Sequence, residues 1–497
     1  MTAGQRRDLP EVSRTEVDGI PAYWSEVPGD FTAGLIFRVG VADEELLTRG
    51  ITHAVEHLAA GVLGETPYPS NAFVSGMRTV FHAAGPREEV TAHLRAVAAA
   101  LTALPSERYD VELDVLRSEA EGFDPGTGVR AFMLRYGFQS HGLNAAPELG
   151  LHWLGPAEVQ AWAHERFTRG AAALFFSGRP PTDLSLDLPD GVLRPVPPAE
   201  HAPEVTYPAQ VADDPGGLAL DLTGPRESGF SAGLLTAERR LRQRLRHQEG
   251  WIYDLSSDYL PLDAEIAGGG LAMECGADRL ERVRDAVLEV MGDLSANGPT
   301  AAELAHHLDQ YERQFGDPDA GIGFLDLAAT DHLLGKPDRT PASLRESHRE
   351  LTPTGVAATL RELMERALLM GPPELPLARG FHAYPAWSVE RAQGRSFRPV
   401  SGPLFGLLAR ERLIVGDDAA TIDLGDGRLV TVSYATCAAA LHDGDHGRVL
   451  WGPDGVQLAI HADHWRDGAR AIAALDALVP ADVVICDDHG RGRPARR

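Results

Sequence analysis

His53-Ala54-Val55-Glu56-His57 sets two imidazoles four residues apart with a carboxylate between them, the residue types and spacing of a zinc site that could activate water. The surrounding residues predict a helix. Thr48 is expected to cap its first turn, Ile51, Val55 and Leu58 form an apolar stripe, and Gly61 is expected to end it. At about 100° per residue the stripe lies opposite His53, Glu56 and His57, so the core takes one face and the three polar side chains share the other. A catalytic zinc takes three protein ligands and keeps one position for water, so a third ligand must come from another element. Residues 106–119 read as a second helix, opened by Pro105-Ser106, with Leu113 and Leu116 inward and Glu112 and Glu119 two turns apart on one side.

His53-x-x-Glu56-His57 followed by a Glu-x6-Glu helix resembles the inverted-motif zinc peptidases, the insulinase, pitrilysin and mitochondrial-processing-peptidase family. The resemblance implies His53, His57 and Glu119 as ligands of one zinc ion per chain, Glu56 as general base, and Glu112 as a supporting carboxylate behind the ligands. Further matches keep the family's order. Gly40 in Phe37-Arg38-Val39-Gly40 precedes the motif, and Asn71-Ala72 with Thr79-Val80-Phe81 resembles the edge strand beside the scissile bond. Arg246 and Tyr253, seven residues apart, resemble the pair that faces the substrate carbonyl, a role suited to a guanidinium and a phenol. Asn71, Ala72, Arg246 and Tyr253 are therefore implied as substrate-binding. One departure is the segment from Gly61 to Ser70, shorter than the family's usual stretch. A peripheral helix and loop are missing there and not a ligand, which leaves the chamber wall and substrate size open.

The function so implied is a zinc-dependent endopeptidase acting on extended, unstructured peptides that add to the Asn71-Ala72 strand by backbone pairing. The family's chambers hold four halves and this chain has two. That implies a homodimer, or a heterodimer with a related subunit, in which Arg246 and Tyr253 act in trans. The alternative is a catalytically weak peptide-binding or scaffold subunit. Glu56 argues against it, because a scaffold has no need of a base beside two ligands. A third possibility makes the C-terminal module a recruiter of one precursor peptide.

Other conspicuous residues are expected to be structural. His306-His307, His332, His348 and His461-x-x-His464 lack a third partner at metal-like spacing and are read as surface residues. The run from Ile266 to Gly270 is read as a flexible approach to the next strand.

The 497 residues exceed one compact core, and 43% hydrophobic residues are enough to fill two or three. A net charge of −26 argues against nucleic-acid binding, which needs clustered cations to neutralise phosphates. Three distant cysteines suggest reduced thiols and not a disulfide framework. With no apolar core for a signal peptide near the N-terminus and no run of about 18 apolar residues, a cytoplasmic protein without membrane contact is expected.

The predicted organisation is α+β: two α/β peptidase-type halves, each an antiparallel sheet plus helices, and a small β-rich domain. Residues 1–188 form the zinc-binding half, 189–208 a Pro-rich linker, 209–375 the second half and 376–401 another linker. Residues 402–490 read as a meander of short strands with Gly/Asp turns closed by one helix, a pattern that resembles a pleckstrin-homology-like barrel. Residues 491–497 read as a disordered basic tail.

Overall fold

The computed structural model describes the chain apart from residues 1–10, 65–66, 122–125, 199–204, 214–215, 315–317, 337–338, 386–387, 401–409 and 488–497. The expected disordered tail lies outside the described residues. The first sheet holds β1 (Ser13–Val17), β2 (Ile20–Trp24), β3 (Phe31–Phe37), β4 (Ser70–Val74), β5 (Thr79–Gly85) and β6 (Ala172–Phe176) in the order β1-β2-β6-β3-β5-β4. The inner strand β6 is a continuous apolar run buried along its whole length, whereas β4 is a largely exposed edge. β2 and β6 run parallel while the other neighbours are antiparallel, so the sheet is mixed where the sequence predicts an antiparallel one. Four helices cover one face: α1 (Ile51–Ala60), α2 (Arg87–Thr102), α3 (Tyr109–Glu121) and, beyond α4 (Gly126–Tyr136), α5 (Pro156–Arg166). Leu35, Phe37, Val55, Leu94, Leu116 and Phe176 meet in this core. Each such side chain contributes about 1.5–3 kcal/mol on burial.

The second half repeats the plan. β7 (Ala209–Ala212), β8 (Gly217–Pro225), β9 (Ile252–Pro261), β10 (Ile266–Cys275), β11 (Leu368–Gly371) and β12 (His382–Ala383) lie in the order β12-β7-β11-β8-β10-β9, again with a parallel inner pair, β7 and β11. The edge strands β4 and β9 thus occupy equivalent places. Its helices are α6 (Ser228–Leu241, continued by the π-helical turn Arg242–Gln248), α7 (Leu280–Asn297), α8 (Ala301–Gln314), α9 (Pro318–Leu333), α10 (Pro341–Arg349) and α11 (Pro353–Glu365). Phe230, Val287 and Leu360 from α6, α7 and α11 form the core with Leu220 of β8.

The halves exchange a helix. Leu325 and Ala329 of α9 cover the far face of the first sheet against Ile36, Val80 and Phe175. In return, α4 lies on the second sheet, where its buried Arg135 pairs with Asp221 of β8. This explains the glycine run, which is part of β10 and not a flexible approach to it: a Cβ on Gly268 would stand 2.7 Å from the Phe132 ring of α4.

The C-terminal unit has two four-stranded sheets. β13 (Gly394–Phe397), β14 (Arg412–Gly416), β15 (Ala419–Asp423) and β16 (Leu429–Ser433) form one in sequence order; β17 (Ala439–Asp443), β18 (Gly447–Trp451), β19 (Gln457–His461) and β20 (Val484–Asp487) form the other in the order β19-β18-β17-β20. α12 (Gly468–Asp476) packs Ile472 against Leu413, Leu458 and Trp465. It departs from the expected barrel because the helix does not end the unit; β20 follows and pairs in parallel with β17. The passage expected as a plain linker, 376–401, carries β12 into the second sheet and β13 into the third. No helix among the described residues is long and apolar enough to cross a membrane.

A candidate metal centre

α1 is seated by the stripe the sequence predicts, with Ile51, Val55 and Leu58 buried. Its N-terminus is not capped by Thr48, whose hydroxyl instead accepts from the Glu45 N–H at 3.2 Å. The buried Glu44 takes that place, its carboxylate accepting from the N–H groups of Gly50 at 3.0 Å and Thr52 at 2.9 Å. A carboxylate satisfies two donors where a hydroxyl satisfies one, and Gly50 adopts the positive φ the turn requires. Gly40 lies under the β4–β5 hairpin, where a Cβ would come within 2.3 Å of the Ser75 carbonyl.

On the polar face of α1, His53 and His57 both turn Nε2 toward Glu119 of α3, at 3.9 Å and 3.7 Å from its Oε2. One ligand atom from each of the three residues lies within 4.8 Å of the others, the only such set of three or more His, Cys, Asp or Glu side chains among the described residues. Glu56 Oε2 stands 3.8 Å and 4.0 Å from the same two Nε2 atoms. Both Nδ1 atoms face carboxylates: His57 toward Glu112 at 3.4 Å, His53 toward Glu148 at 3.2 Å. That pairing places the Nδ1 protons and leaves both Nε2 lone pairs pointing at one spot, as metal ligation requires. The donor set fits zinc, since two imidazoles and a carboxylate at about 2.0–2.2 Å from an ion need only a small contraction from these separations.

Burial pushes the Glu56 carboxyl above the usual range against the opposing pull of His57 and His53. For His53, burial disfavours the charged ring, but the hydrogen bond and charge of Glu148 prevail and raise its pKa. Burial acts upward on Glu148 too, and His53 and Arg49 outweigh it.

These groups line a cleft of about 1620 Å³, whose wall includes Asn71 and Ala72 of the edge strand β4. Asn71 and Ala72 pair with His82 and Phe81 of β5 on one side, and no strand among the described residues pairs with the other. Arg246 and Tyr253 are not brought to this cleft. Arg246 lies in the π-helical turn after α6 and donates to the Ile252 carbonyl at 3.0 Å, and Tyr253 stands 70% exposed on β9. The neighbouring Arg239, Arg240, Arg242 and Arg244 are spent on ion pairs, as with Arg240 to Glu303 at 2.7 Å. The histidines expected at the surface divide: His307 and His348 are buried and share a hydrogen bond at 3.0 Å.

Sequence reasoning missed Glu148 and Arg49. The Arg49 guanidinium reaches Glu148 at 2.8 Å and Glu44 at 3.4 Å, tying the helix cap to the carboxylate behind His53. Glu148 lies 95 positions from His53 in a segment of 3-10 turns, where no periodicity could mark it.

Residues 226–311 match the family described as the Peptidase M16 inactive domain, within the second half of the chain. No curated protein matches the chain. Among solved structures, a Peptidase M16 inactive domain from Pseudomonas fluorescens superposes with a TM-score of 0.61 at 15% identity, over 74% of this chain and 100% of its own. A protease from Helicobacter pylori gives 0.59 at 14%, over 73% and 100%. The ferredoxin protease FusC, solved as a mutant in complex with Arabidopsis ferredoxin, gives 0.54 at 11%, over 86% and 56%. At these identities the likeness is one of fold, and it spans the two-half architecture.

Proposed function

We propose that this protein is a zinc-dependent endopeptidase of extended, unstructured peptides. The observation that carries the reading is the convergence of the His53 and His57 Nε2 atoms on Glu119 with Glu56 alongside, in a cleft bordered by an unpaired strand edge. His53, His57 and Glu119 would hold the zinc ion, which would supply Lewis acidity for activating water and polarising the scissile carbonyl. Glu56 accepts the proton of the attacking water and returns it to the leaving amine. Backbone groups of Asn71 and Ala72 take the substrate as an added strand, which favours unfolded chains of broad sequence. Arg246 and Tyr253, exposed and outside their own chain's cleft, serve the site of a second subunit. Three cysteines held as thiols and not as disulfides suit a reducing compartment such as the cytoplasm.

The test compares wild type and Glu56→Gln at matched zinc content on short unstructured peptides. Zinc-dependent cleavage should fall by at least about 100-fold in the variant while bound zinc is unchanged. The second reading, a peptide-binding subunit without turnover, draws on the match of residues 226–311 to the inactive domain. Bound zinc and bound peptide without cleavage in either protein would select it.

A further inference from the structure

Residues 144–153 line part of the cleft, and the C-terminal unit packs on the segment 137–153 that carries them. Leu143 and Leu149 share a buried apolar cluster with Trp451 of β18 and Ile485 of β20. The backbones also meet: the Phe138 N–H donates to the Pro453 carbonyl at 3.0 Å. At Gly137, where φ is +64°, a Cβ would stand 2.1 Å from the same carbonyl oxygen. Cys486, next to Ile485, reaches the cleft itself.

The clamped segment carries Glu148. On one side of it, Arg49 fixes the loop twice, through Glu148 at 2.8 Å and through the Leu143 carbonyl at 3.0 Å. On the other, the Glu148 carboxylate faces His53 Nδ1 at 3.2 Å and 3.3 Å. A continuous chain of contacts therefore runs from Trp451 and Ile485, through the 137–153 segment, to the imidazole of His53.

We infer that the C-terminal unit is a positioning part of the metal centre: it clamps residues 137–153, and Glu148 on that segment orients His53 for ligation. This rests on the zinc-site reading above and assigns the unit a role in the site in place of peptide recruitment. Carboxylates that hold a ligating imidazole matter for metal affinity at the level of about 10–100-fold. A loop carrying such a carboxylate must be fixed to well under an ångström, and a covering hydrophobic clamp does that without touching the metal.

Zinc affinity measured by chelator competition on the full-length chain tests it. Glu148→Gln should bind zinc about 10–100-fold more weakly with its fold retained by circular dichroism. Trp451→Ala should weaken zinc by a smaller factor, and the double variant should be no weaker than Glu148→Gln alone, because the clamp acts through that carboxylate. Ile472→Ala, a cavity in the same unit within a separate cluster, should leave zinc affinity at the wild-type value. Should Trp451→Ala fail to fold, Ile485→Val opens a milder gap in the same clamp. Wild-type affinity in the clamp variants, or losses that simply add in the double variant, would overturn the inference while leaving the zinc site standing. Absence of zinc binding in wild type would overturn the site reading and the inference together.

Discussion

Glu112 and Glu148 face the Nδ1 atoms of His57 and His53, yet they are differently supported. Glu112 belongs to the same helix as Glu119, and Arg108 one turn earlier pairs with it. Its substitution should therefore disturb one imidazole and leave the helix in place. Glu112→Gln is expected to bind zinc about tenfold more weakly with unchanged helix content, read by chelator competition and circular dichroism. An unchanged affinity would mean that the 3.4 Å approach to His57 orients nothing. This half of the site was legible in the sequence because both carboxylates sit at helical spacing from each other. Glu148 was not, since the pairing with His53 depends on a loop path set by tertiary packing. The Glu44 cap was hidden for the same reason, as its side chain reaches across a turn of 3-10 helix to Gly50 and Thr52.

Among elements, the helix layer of the second half is tied by one arginine. Arg240 of α6 binds Glu303 of α8 through two nitrogens, at 2.7 Å and 2.8 Å, and Asp293 of α7 at 2.6 Å. The hydrogen bonds from Arg240 hold the Glu303 carboxyl down at about 2, from an ordinary value of 4.5. A folded-state pKa below the unfolded one means that the contribution is complete above about pH 4.5 and disappears as pH falls toward about 2. Glu303→Gln should cost about 1–2 kcal/mol near neutral pH, a figure discounted for partial exposure. The gap to wild type should close in acid, as urea midpoints of the metal-free protein at pH 7 and pH 2.5 would register. A gap independent of pH would assign the loss to packing and not to charge. An amphipathic period marks α7 and α8 but not α9. That helix is apolar around much of its circumference because it is buried between the halves, and periodicity marks helices with one wet face.

At the scale of the whole molecule, the repeated sheet order places β4 and β9 at matching edges, one bearing Asn71 and Ala72 beside the metal set, the other bearing Tyr253. The sequence motifs named the first edge and gave Tyr253 a substrate-facing role, but nothing in the pattern could say that the halves exchange α4 and α9, because that depends on which sheet face each helix finds. With the halves so joined, Arg246 and Tyr253 stand outside the cleft of their own chain, and a substrate-binding role needs a second copy to present them. That arrangement makes a prediction free of any structure determination. Arg246→Ala and Glu56→Gln should each be nearly inactive alone, the former by about 10²–10³-fold if its guanidinium stabilises the developing oxyanion. Mixed in equal amounts and allowed to exchange subunits, half the dimers carry one of each chain. Every such dimer pairs one intact Glu56 with one intact Arg246 across a single site, which restores about a quarter of wild-type activity under two-fold symmetry. If the pair served its own chain's cleft instead, no mixed dimer would contain a complete site, and activity would stay at the level of the separate variants.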